Sequence, residues 1–319
     1  MKKQSSNHIF MIEPKAFYTN KETLQSNHYQ QDDVDMDQEK ITALAIQEFR
    51  CLRDALIENG VNVLTYKGEE KCPDHVFPNW FTTFDDKSIQ IFPMMAKNRR
   101  LEKTNQMVSG LTNFYKLAAD LSFEESNSRY LESTSSMVFD RVNNRVFATE
   151  SPRTDKDLIA EWCKNNKFEL ILFETESHNG GPIYHTDVLM YIGTNVVGIC
   201  FDVIKEKYRE LVLESVKEHH EVIELSSPQL LDFCGNCLEV ANNCGDLFLV
   251  MSTRAYKSYT GSQIQQIKKN YKGVIHRDLP VIERYGGGSA RCMLAELFSS
   301  TCSNFSLPCL PISANLTFI

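Results

Sequence analysis

Hydrophobic and polar residues alternate along much of the chain in short runs that are typical of strands, and longer amphipathic stretches separate these runs. One clear copy of the pattern predicts strands at 136–140 and 145–148, a helix at 156–164 and a strand at 169–173. A polar turn at 143–144 joins the first two strands, so the unit is a β-hairpin followed by a helix and a returning strand. The pattern therefore predicts an α/β protein.

This ββαβ unit recurs, with starts near residues 81, 136, 188, 239 and 290 and a period of about 50 residues. The other copies predict strands 188–192, 196–201 and 221–225 with helix 205–218; strands 238–240 and 247–251 with helix 261–270; strands near 81 and at 89–92 with a helix between 103 and 119; and a split copy with strand 9–12, helix 37–59, strand 62–65 and an opening strand just after 292. Five such units suggest a closed ring, a pseudo-symmetric α/β propeller with five blades.

The repeats also predict the domain organisation. They occupy residues 1–298, which we expect to form a single propeller domain. The stretch 299–319 is rich in Ser, Leu and Pro and lies outside the pattern, so we expect it to pack loosely or to be disordered.

Charge and hydrophobicity narrow the range of partners. The chain has 34 Lys and Arg against 42 Asp and Glu, and its net charge of −8 argues against binding to nucleic acid or to anionic membranes. No apolar run at the amino terminus resembles an export signal, and no run reaches the roughly 20 residues that span a bilayer. We therefore expect a cytoplasmic protein that binds a small molecule, with a homo-oligomer left open.

The ten cysteines do not suggest a metal or disulfide framework. Cys234 and Cys237, followed by Cys244, have the spacing of half a zinc site, but no second pair of ligands completes it nearby. In a chain of this size without an export signal, we expect mostly buried thiols. The sequence therefore predicts no metal and no cofactor.

Residues that precede the first strand of each repeat should gather at one mouth of such a ring. They include Asn79, Glu132, His185 with Asp187, Asn236, and the glycine-rich run that leads to Cys292. A thiol, an imidazole and a carboxylate that converge in this way are what nucleophilic thiol catalysis needs. The sequence thus predicts a catalytic site assembled from several repeats.

Several spaced blocks resemble the amidinotransferase and arginine deiminase superfamily. They are HIFMIEPKAF at 8–17, CPDHVFPNWF at 72–81, LESTSSMVFDR at 131–141, YHTDVLM at 184–190, FCGN at 233–236 and GGGSARCMLAE at 286–296. Within the superfamily, they most resemble the arginine-deiminase-related citrulline-utilisation branch. The resemblance covers roughly residues 8–298, with the blocks in the right order.

The resemblance implies a fold, an activity and roles for single residues. It implies the five-bladed pentein fold and cleavage of a C–N bond in a guanidino or ureido compound. By motif match, Cys292 would be the nucleophile, His185 the general acid and base, and Glu132 the carboxylate that positions His185. Asp187 would hold the guanidinium nitrogens, and Arg153 would bind the substrate carboxylate.

The chemistry itself sets two requirements. A guanidinium carbon is a poor electrophile, so the site needs a strong nucleophile, such as a thiolate beside a cation, and carboxylates that localise the positive charge. After attack by Cys292, His185 would protonate the departing nitrogen, and it would then activate water against the thiouronium intermediate. This series of steps, which ends with water as the acceptor, is that of a hydrolase.

Three positions depart from the pattern of the relatives. Ser133 and Ser135 stand where those proteins often have glycine, and a single asparagine, Asn79, stands where they often have two. Arginine deiminases place an aspartate in the latter loop. A neutral amide would hold a cationic guanidinium less tightly, so we hypothesise that a neutral ureido group, as in citrulline, is the substrate.

Other interpretations remain open at the level of sequence. Cys292 could be a small buried hydrophobe, Glu132 could pair with Arg129, and Asn236 could stabilise a turn. An amidinotransferase of the same fold would pass the amidino group to an amine instead of water. The altered positions also allow a propeller that binds a ligand or a protein without catalysis.

Overall fold

The computed structural model describes residues 2–32 and 36–298 of the chain, so the predicted tail at 299–319 lies outside the described residues. The strands are β1 (His8–Glu13), β2 (Asn62–Lys67), β3 (Phe81–Thr83), β4 (Ser88–Ile91), β5 (Lys116–Asp120), β6 (Val138–Asp140), β7 (Arg145–Thr149), β8 (Glu169–Phe173), β9 (Met190–Ile192), β10 (Val196–Ile199), β11 (Glu221–Glu224), β12 (Leu238–Ala241), β13 (Leu247–Ser252), β14 (Gly273–Arg277) and β15 (Ala295–Glu296).

Helices of two kinds connect the strands, long ones within repeats and short ones at their entrances. They are α1 (Lys21–Leu24), α2 (Gln38–Glu58), α3 (Lys97–Arg100), α4 (Asn105–Thr112), α5 (Ser133–Ser136), α6 (Lys156–Asn166), α7 (Thr186–Leu189), α8 (Glu206–Lys217), α9 (Ser227–Leu231), α10 (Thr253–Ser258), α11 (Gly261–Asn270) and α12 (Pro280–Gly286), with single 3-10 turns at Ser122–Asn127 and Arg291–Met293.

The strands form five sheets of three strands each among the described residues. Each sheet has the same topology, in which an antiparallel hairpin is followed by a helical crossover to a strand parallel to the second one. The orders are β3-β4-β5, β6-β7-β8, β9-β10-β11, β12-β13-β14 and β15-β1-β2. The mixed α/β fold and the five predicted repeats are confirmed, including the copy split between the two ends of the described chain.

The helix predicted between residues 103 and 119 was wrong in its second half. Helix α4 ends at Thr112, and β5 runs parallel to β4 with Ser88 opposite Lys116. Most residues of β5 are exposed, so its sequence KLAAD shows no hydrophobic alternation and contains good helix formers. Tertiary pairing with β4 overrides this local preference.

Local signals explain where the long helices start. Asp37, Asp155 and Thr260 each accept a hydrogen bond from a backbone N–H of the first turn of α2, α6 and α11. Each helix then buries an apolar stripe against a sheet. In α2 the stripe includes Phe49 and Leu52, which are fully buried.

Short helices place polar residues at the entrance of the first strands. Helices α5 and α7 are only four residues long, and they lead into β6 and β9. Glu132 is the residue before α5, and His185 is the residue before α7. The two turns therefore deliver side chains from different repeats to one place.

Two absences hold for the described part of the chain. It contains no helix long and apolar enough to cross a membrane. It also contains no group of His, Cys, Asp or Glu side chains arranged to hold a metal ion. Cys234 and Cys237 are buried, whereas Cys244 is exposed, so the three thiols of the apparent half site have different surroundings.

Candidate active site

The Cys292 thiol is buried where the 3-10 turn Arg291–Met293 meets residues of two other repeats. Asn236 Nδ2 donates to Cys292 Sγ at 3.1 Å and to the backbone oxygen of Asp187 at 2.9 Å. Asp187 Oδ2 lies 3.7 Å from the same sulfur. A Cβ at Gly288 would stand 3.3 Å from Sγ, so glycine permits a close approach of the backbone to the thiol.

His185 and Glu132 form a buried pair beside this thiol. Nε2 of His185 lies 2.8 Å from Glu132 Oε2, while Glu132 Oε1 accepts a hydrogen bond from the backbone N–H of Met95 at 3.0 Å. The guanidinium NH1 groups of Arg99 and Arg153 each lie 3.6 Å from Glu132 Oε2. Glu132 therefore contacts four residues, His185, Met95, Arg99 and Arg153, which come from three parts of the chain.

The electrostatics keep Glu132 ionised. Burial by itself would raise the pKa of Glu132, but Arg153, the hydrogen bond with His185 and Arg99 together outweigh burial and lower that pKa well below its usual range. Because two buried guanidinium groups lie close to this one carboxylate, its ionised form is favoured and its pKa falls.

The same surroundings favour a neutral His185. Burial lowers the pKa of His185, and Glu132 opposes this shift without reversing it. A neutral ring that donates through Nε2–H to Glu132 leaves Nδ1 as a proton acceptor, and Nδ1 is buried with no protein partner among the described residues. His185 is thus set up to take a proton.

The pKa of the Cys292 thiol is raised, chiefly by burial and then by the Asp187 carboxylate, although Asn236 and Arg291 act in the opposite direction. The thiol is therefore protonated at neutral pH. This differs from the thiolate beside a cation that the sequence suggested, because the sulfur is buried and a carboxylate lies close to it. Thiol and imidazole form a neutral pair, in which ionisation awaits proton transfer.

Asp187 is held between the thiol and its own hydrogen-bond donor. Ser135 Oγ donates to Asp187 Oδ2 at 2.9 Å, and Asp187 Oδ1 is buried without a protein partner among the described residues. Burial raises the pKa of Asp187, and His185 in its charged form and Arg291 oppose this rise without reversing it. The open oxygen is available to accept an N–H from a bound molecule.

The two serine departures have structural roles. Ser133 has φ of 46°, a conformation that favours glycine, and its Oγ donates to the backbone oxygen of Phe81 at 2.6 Å. Ser135 supplies the hydrogen bond to Asp187. Serine thus adds polar contacts at the positions where the relatives often have glycine.

A small cavity opens onto the thiol and the imidazole. Its lining residues are Asn27, Asp74, Phe77, Asn79, Arg99, Arg153, Tyr184, His185, Gly286, Gly288 and Cys292. The space holds about one water molecule, so a larger ligand requires side chains to move. The Tyr184 hydroxyl donates to the backbone oxygen of Gly287 at 2.5 Å and closes one wall.

The structure brings the seven predicted site residues together. Cys292, His185, Arg153 and Asn79 line the cavity, and the other three contact these residues directly or through the backbone. Glu132 does not pair with Arg129, since that side chain bonds to surface carboxylates. The catalytic and binding roles themselves stay predictions.

Sequence reasoning missed two charged lining residues, Asp74 and Arg99. Asp74 lies inside the CPDHVFPNWF block, and its Oδ2 accepts from Asn20 and Thr23 while Oδ1 has no protein partner among the described residues. Arg99 donates to Glu102 in a buried ion pair. A buried Asp within a motif was a usable signal, whereas nothing in the sequence marked Arg99.

Known proteins resemble this chain over most of its length. The family model described as N,N dimethylarginine dimethylhydrolase, eukaryotic, matches residues 13–299. No curated protein sequence matches the chain significantly.

Solved structures give a wider view of the fold. The N-terminal domain of ArgZ, an arginine dihydrolase from Cyanobacteria solved with bound substrate, has a TM-score of 0.72 and 15% identity, over 92% of this chain and 99% of that one. The same domain covalently bound to a reaction intermediate also has a TM-score of 0.72 and 15% identity, over 92% of this chain and 98% of that one. A dimethylarginine dimethylaminohydrolase adduct has a TM-score of 0.62 and 16% identity, over 93% of this chain and 100% of that one. At such identities the likeness shows the pentein fold.

Proposed function

The chain belongs to the eukaryotic N,N dimethylarginine dimethylhydrolase family, and we propose from this premise that it is a thiol hydrolase that cleaves a C–N bond of a guanidino amino acid. The observation that carries the proposal is the buried meeting of the Cys292 thiol with the His185–Glu132 pair. The buried thiol of Cys237 also lines a small cavity with two arginines, Arg141 and Arg291, but the described residues that line it include no histidine.

The first step is attack by sulfur on the guanidino carbon. Cys292 Sγ passes its proton to Nδ1 of His185, and the S–C bond forms as the carbon becomes tetrahedral. Asn236, whose Nδ2 already donates to the sulfur, stabilises the thiolate. The Asp187 carboxylate accepts N–H groups of the guanidinium, whose positive charge offsets the raised pKa of the nearby thiol.

The second half regenerates the thiol. The imidazolium of His185 protonates the departing amine or ammonia as the C–N bond breaks, leaving a thiouronium on Cys292. Neutral His185 then takes a proton from water, whose oxygen adds to the carbon. As the S–C bond breaks, the imidazolium returns this proton to the Cys292 sulfur, and the hydroxyl proton of the adduct passes to solvent when the ureido product leaves. Glu132 stabilises the imidazolium form that occurs in both halves.

The charges around the cavity suit an amino acid as substrate. Asp74 Oδ1 is an open acceptor for an α-ammonium group, and the guanidinium groups of Arg99 and Arg153 suit an α-carboxylate. Because both NH1 groups now face Glu132, a bound carboxylate would share them with it. Arginine and N-methylated arginines carry all of these groups.

A second candidate is hydrolysis of a ureido group, as in citrulline. The observation that favours it is Asn79, a neutral amide that lines the cavity. Its amide gives the site less negative charge toward a guanidinium than a carboxylate at this position would. Such a site accepts a neutral substrate more readily.

We also propose that residues 1–298 form one domain and that its five sheets close into a propeller. Bonds between successive sheets support closure: Thr83 to Glu296, Ser133 to Phe81, Ser135 to Asp187, Asn236 to Asp187 and Ala241 to Ser6. These contacts join the sheets in a cycle. A cytoplasmic location and a homo-oligomer remain predictions of the sequence.

Product analysis tests the function. We would incubate the protein with arginine, N,N-dimethylarginine, citrulline and agmatine, each with and without glycine, and measure ammonia, dimethylamine, citrulline and ornithine. Release of an amine by the wild type and by Cys237→Ala, but not by Cys292→Ala, is the expected result. A clear preference for arginine over citrulline would reject the ureido candidate.

The remaining outcomes point elsewhere. Transfer of the amidino group to glycine would indicate an amidinotransferase. A folded protein that releases nothing from any compound would contradict the hydrolase and favour a binding protein of the same fold.

A further inference from the structure

Arg291, the residue immediately before the nucleophile, approaches the same carboxylate oxygen of Asp187 as the Cys292 thiol does. Its Nε is 3.6 Å from Asp187 Oδ2, and its NH2 donates to the backbone oxygen of Thr134 at 3.2 Å. The side chain is buried, with only 8% of its surface exposed. Arg291 takes no part in the proposed steps of hydrolysis.

A buried carboxylate needs a compensating charge. Without one, Asp187 would be protonated, and a neutral carboxyl group would not attract a cationic substrate. Ser135 supplies a hydrogen bond to Asp187 Oδ2 but no charge, and His185 is neutral at rest. Arg291 is therefore the permanent cation next to Asp187.

The other side of Arg291 faces a second set of buried groups. Three buried side chains, those of Glu296, Arg141 and Cys237, interact with Arg291 electrostatically. Buried charges thus alternate from Asp187 through Arg291 to Glu296 and Arg141. This arrangement anchors the guanidinium behind Asp187, on elements that the substrate does not touch.

We propose that Arg291 is a positioning residue that keeps the Asp187 carboxylate charged and oriented toward Cys292, so that the site recognises cationic amidine groups. The inference rests on the proposed function for its meaning, but its test does not require turnover. Arg291 acts through Asp187 and does not contact the substrate. Loss of its charge should change which reagents reach the thiol more than it changes the thiol itself.

A pair of alkylating reagents separates these effects. With 2-chloroacetamidine, which carries a cationic amidinium, and with iodoacetamide, which is neutral, the Cys292 sulfur attacks the CH2 carbon, an S–C bond forms, the halide leaves with the bonding electrons, and the thiol proton passes to His185 or water. The ratio of the two rate constants cancels the thiolate fraction, since the same sulfur reacts in both. Peptide mapping confirms that Cys292 is the modified residue.

The variants are Arg291→Gln, Arg291→Lys and Asp187→Asn. We expect the ratio to fall by about tenfold or more in Arg291→Gln and in Asp187→Asn, as a shift of one pKa unit or more in a carboxyl group implies, and to stay near the wild-type value in Arg291→Lys. Arg277→Gln, which removes an exposed arginine paired with Glu58, is the matched control and should leave the ratio unchanged.

The pH dependence gives a second measurement. In the wild type, the ratio should fall on the acid side as Asp187 gains a proton, and the midpoint should move to higher pH when Arg291 is weakened or removed. If Arg291→Gln does not fold, Arg291→Met carries this test, because it also removes the charge and keeps an unbranched side chain. An unchanged or higher ratio, or an unshifted midpoint, in a folded Arg291→Gln or Arg291→Met would overturn the proposal. If the wild type turns over no substrate but the ratio of the two rate constants still falls in Arg291→Gln, the hydrolase is rejected and the role of Arg291 stands.

Discussion

Two buried thiols, Cys292 and Cys237, lie in neighbouring repeats and have contrasting surroundings. Burial raises the pKa of both. Cys237 Sγ contacts the backbone oxygen of Cys234 at 3.2 Å and the hydroxyl of Tyr259 at 3.7 Å. Cys292 instead meets an amide and a carboxylate, and it shares a cavity with an imidazole. Burial therefore does not distinguish a catalytic thiol from a structural one, whereas the groups that converge on it do.

The two environments are separated by a single step of the backbone. Asn236 turns its amide toward Cys292, and the next residue, Cys237, packs among core residues on the way into β12. Adjacent side chains that point in different directions can thus serve separate regions. The comparison predicts that substitutions on the two sides of this step have different consequences.

Replacement of the two thiols should give the largest difference. Cys292→Ser should reduce kcat by at least about 10³-fold, because the covalent step is lost. Cys237→Ser should change kcat by less than about threefold, which is under 1 kcal/mol in the barrier. Steady-state amine release measures both. Equal losses in the two variants would mean that the reaction needs the packing of the core rather than the Cys292 thiol.

Glu132→Gln should have the next largest effect. The amide cannot stabilise the imidazolium form of His185, so kcat should fall by about 10²–10³-fold. It also leaves Arg99 and Arg153 without their shared carboxylate, which should lower the free energy of unfolding by about 3–5 kcal/mol. Urea unfolding and kcat measure the two effects.

The control for this variant is Glu161→Gln. Glu161 is exposed and pairs with Arg129 at 3.0 Å, so its loss should cost no more than about 1 kcal/mol. A Glu132→Gln protein as active as Glu161→Gln would contradict the assigned role.

The pH dependence of alkylation should separate Cys292 from an ordinary exposed thiol. The raised pKa means that the thiolate is scarce at neutral pH and gains population as pH rises toward that pKa. The rate of modification by neutral iodoacetamide should therefore keep increasing about tenfold per pH unit up to about pH 10, where the rate for a thiol with the usual pKa of about 8.5 has levelled off. The exposed Cys51 serves as the internal comparison. A plateau below pH 7 at Cys292 would indicate a preformed thiolate.

Asn236→Ala should give the smallest of these effects. It removes the N–H that donates to Sγ, and the lost bond to a charged sulfur should slow alkylation and turnover by about tenfold. Asn242→Ala is a suitable control, because Asn242 accepts hydrogen bonds only within its turn. If the two variants react with iodoacetamide equally fast, the amide does not stabilise the thiolate.

Sequence periodicity was sufficient for most of the fold because each repeat buries one face of its sheet. It failed at β5, where an exposed strand of helix-forming residues has no alternation and only pairing with β4 determines its state. Period-based reasoning detects burial, so an exposed strand leaves no signal.

The site shows the same limit in another form. His185, Glu132 and Cys292 precede or begin first strands, so their convergence follows from the repeat. Arg99 comes from a loop helix outside that rule, and its role as a partner of Glu132 depends on packing that no local pattern encodes. The protonated state of the thiol likewise depends on its burial and on its distance from Asp187, which only the folded chain sets.

The central claim is that Cys292 forms a covalent bond to the guanidino carbon, and intact-protein and peptide mass spectrometry of an acid-quenched reaction tests it most directly. With the wild type quenched during turnover, and with N,N-dimethylarginine or arginine in excess, an amidino adduct should be found on the peptide that contains Cys292 and not on the one that contains Cys237. Product formation that persists in Cys292→Ala, with no adduct on any cysteine of the wild type, would contradict the account.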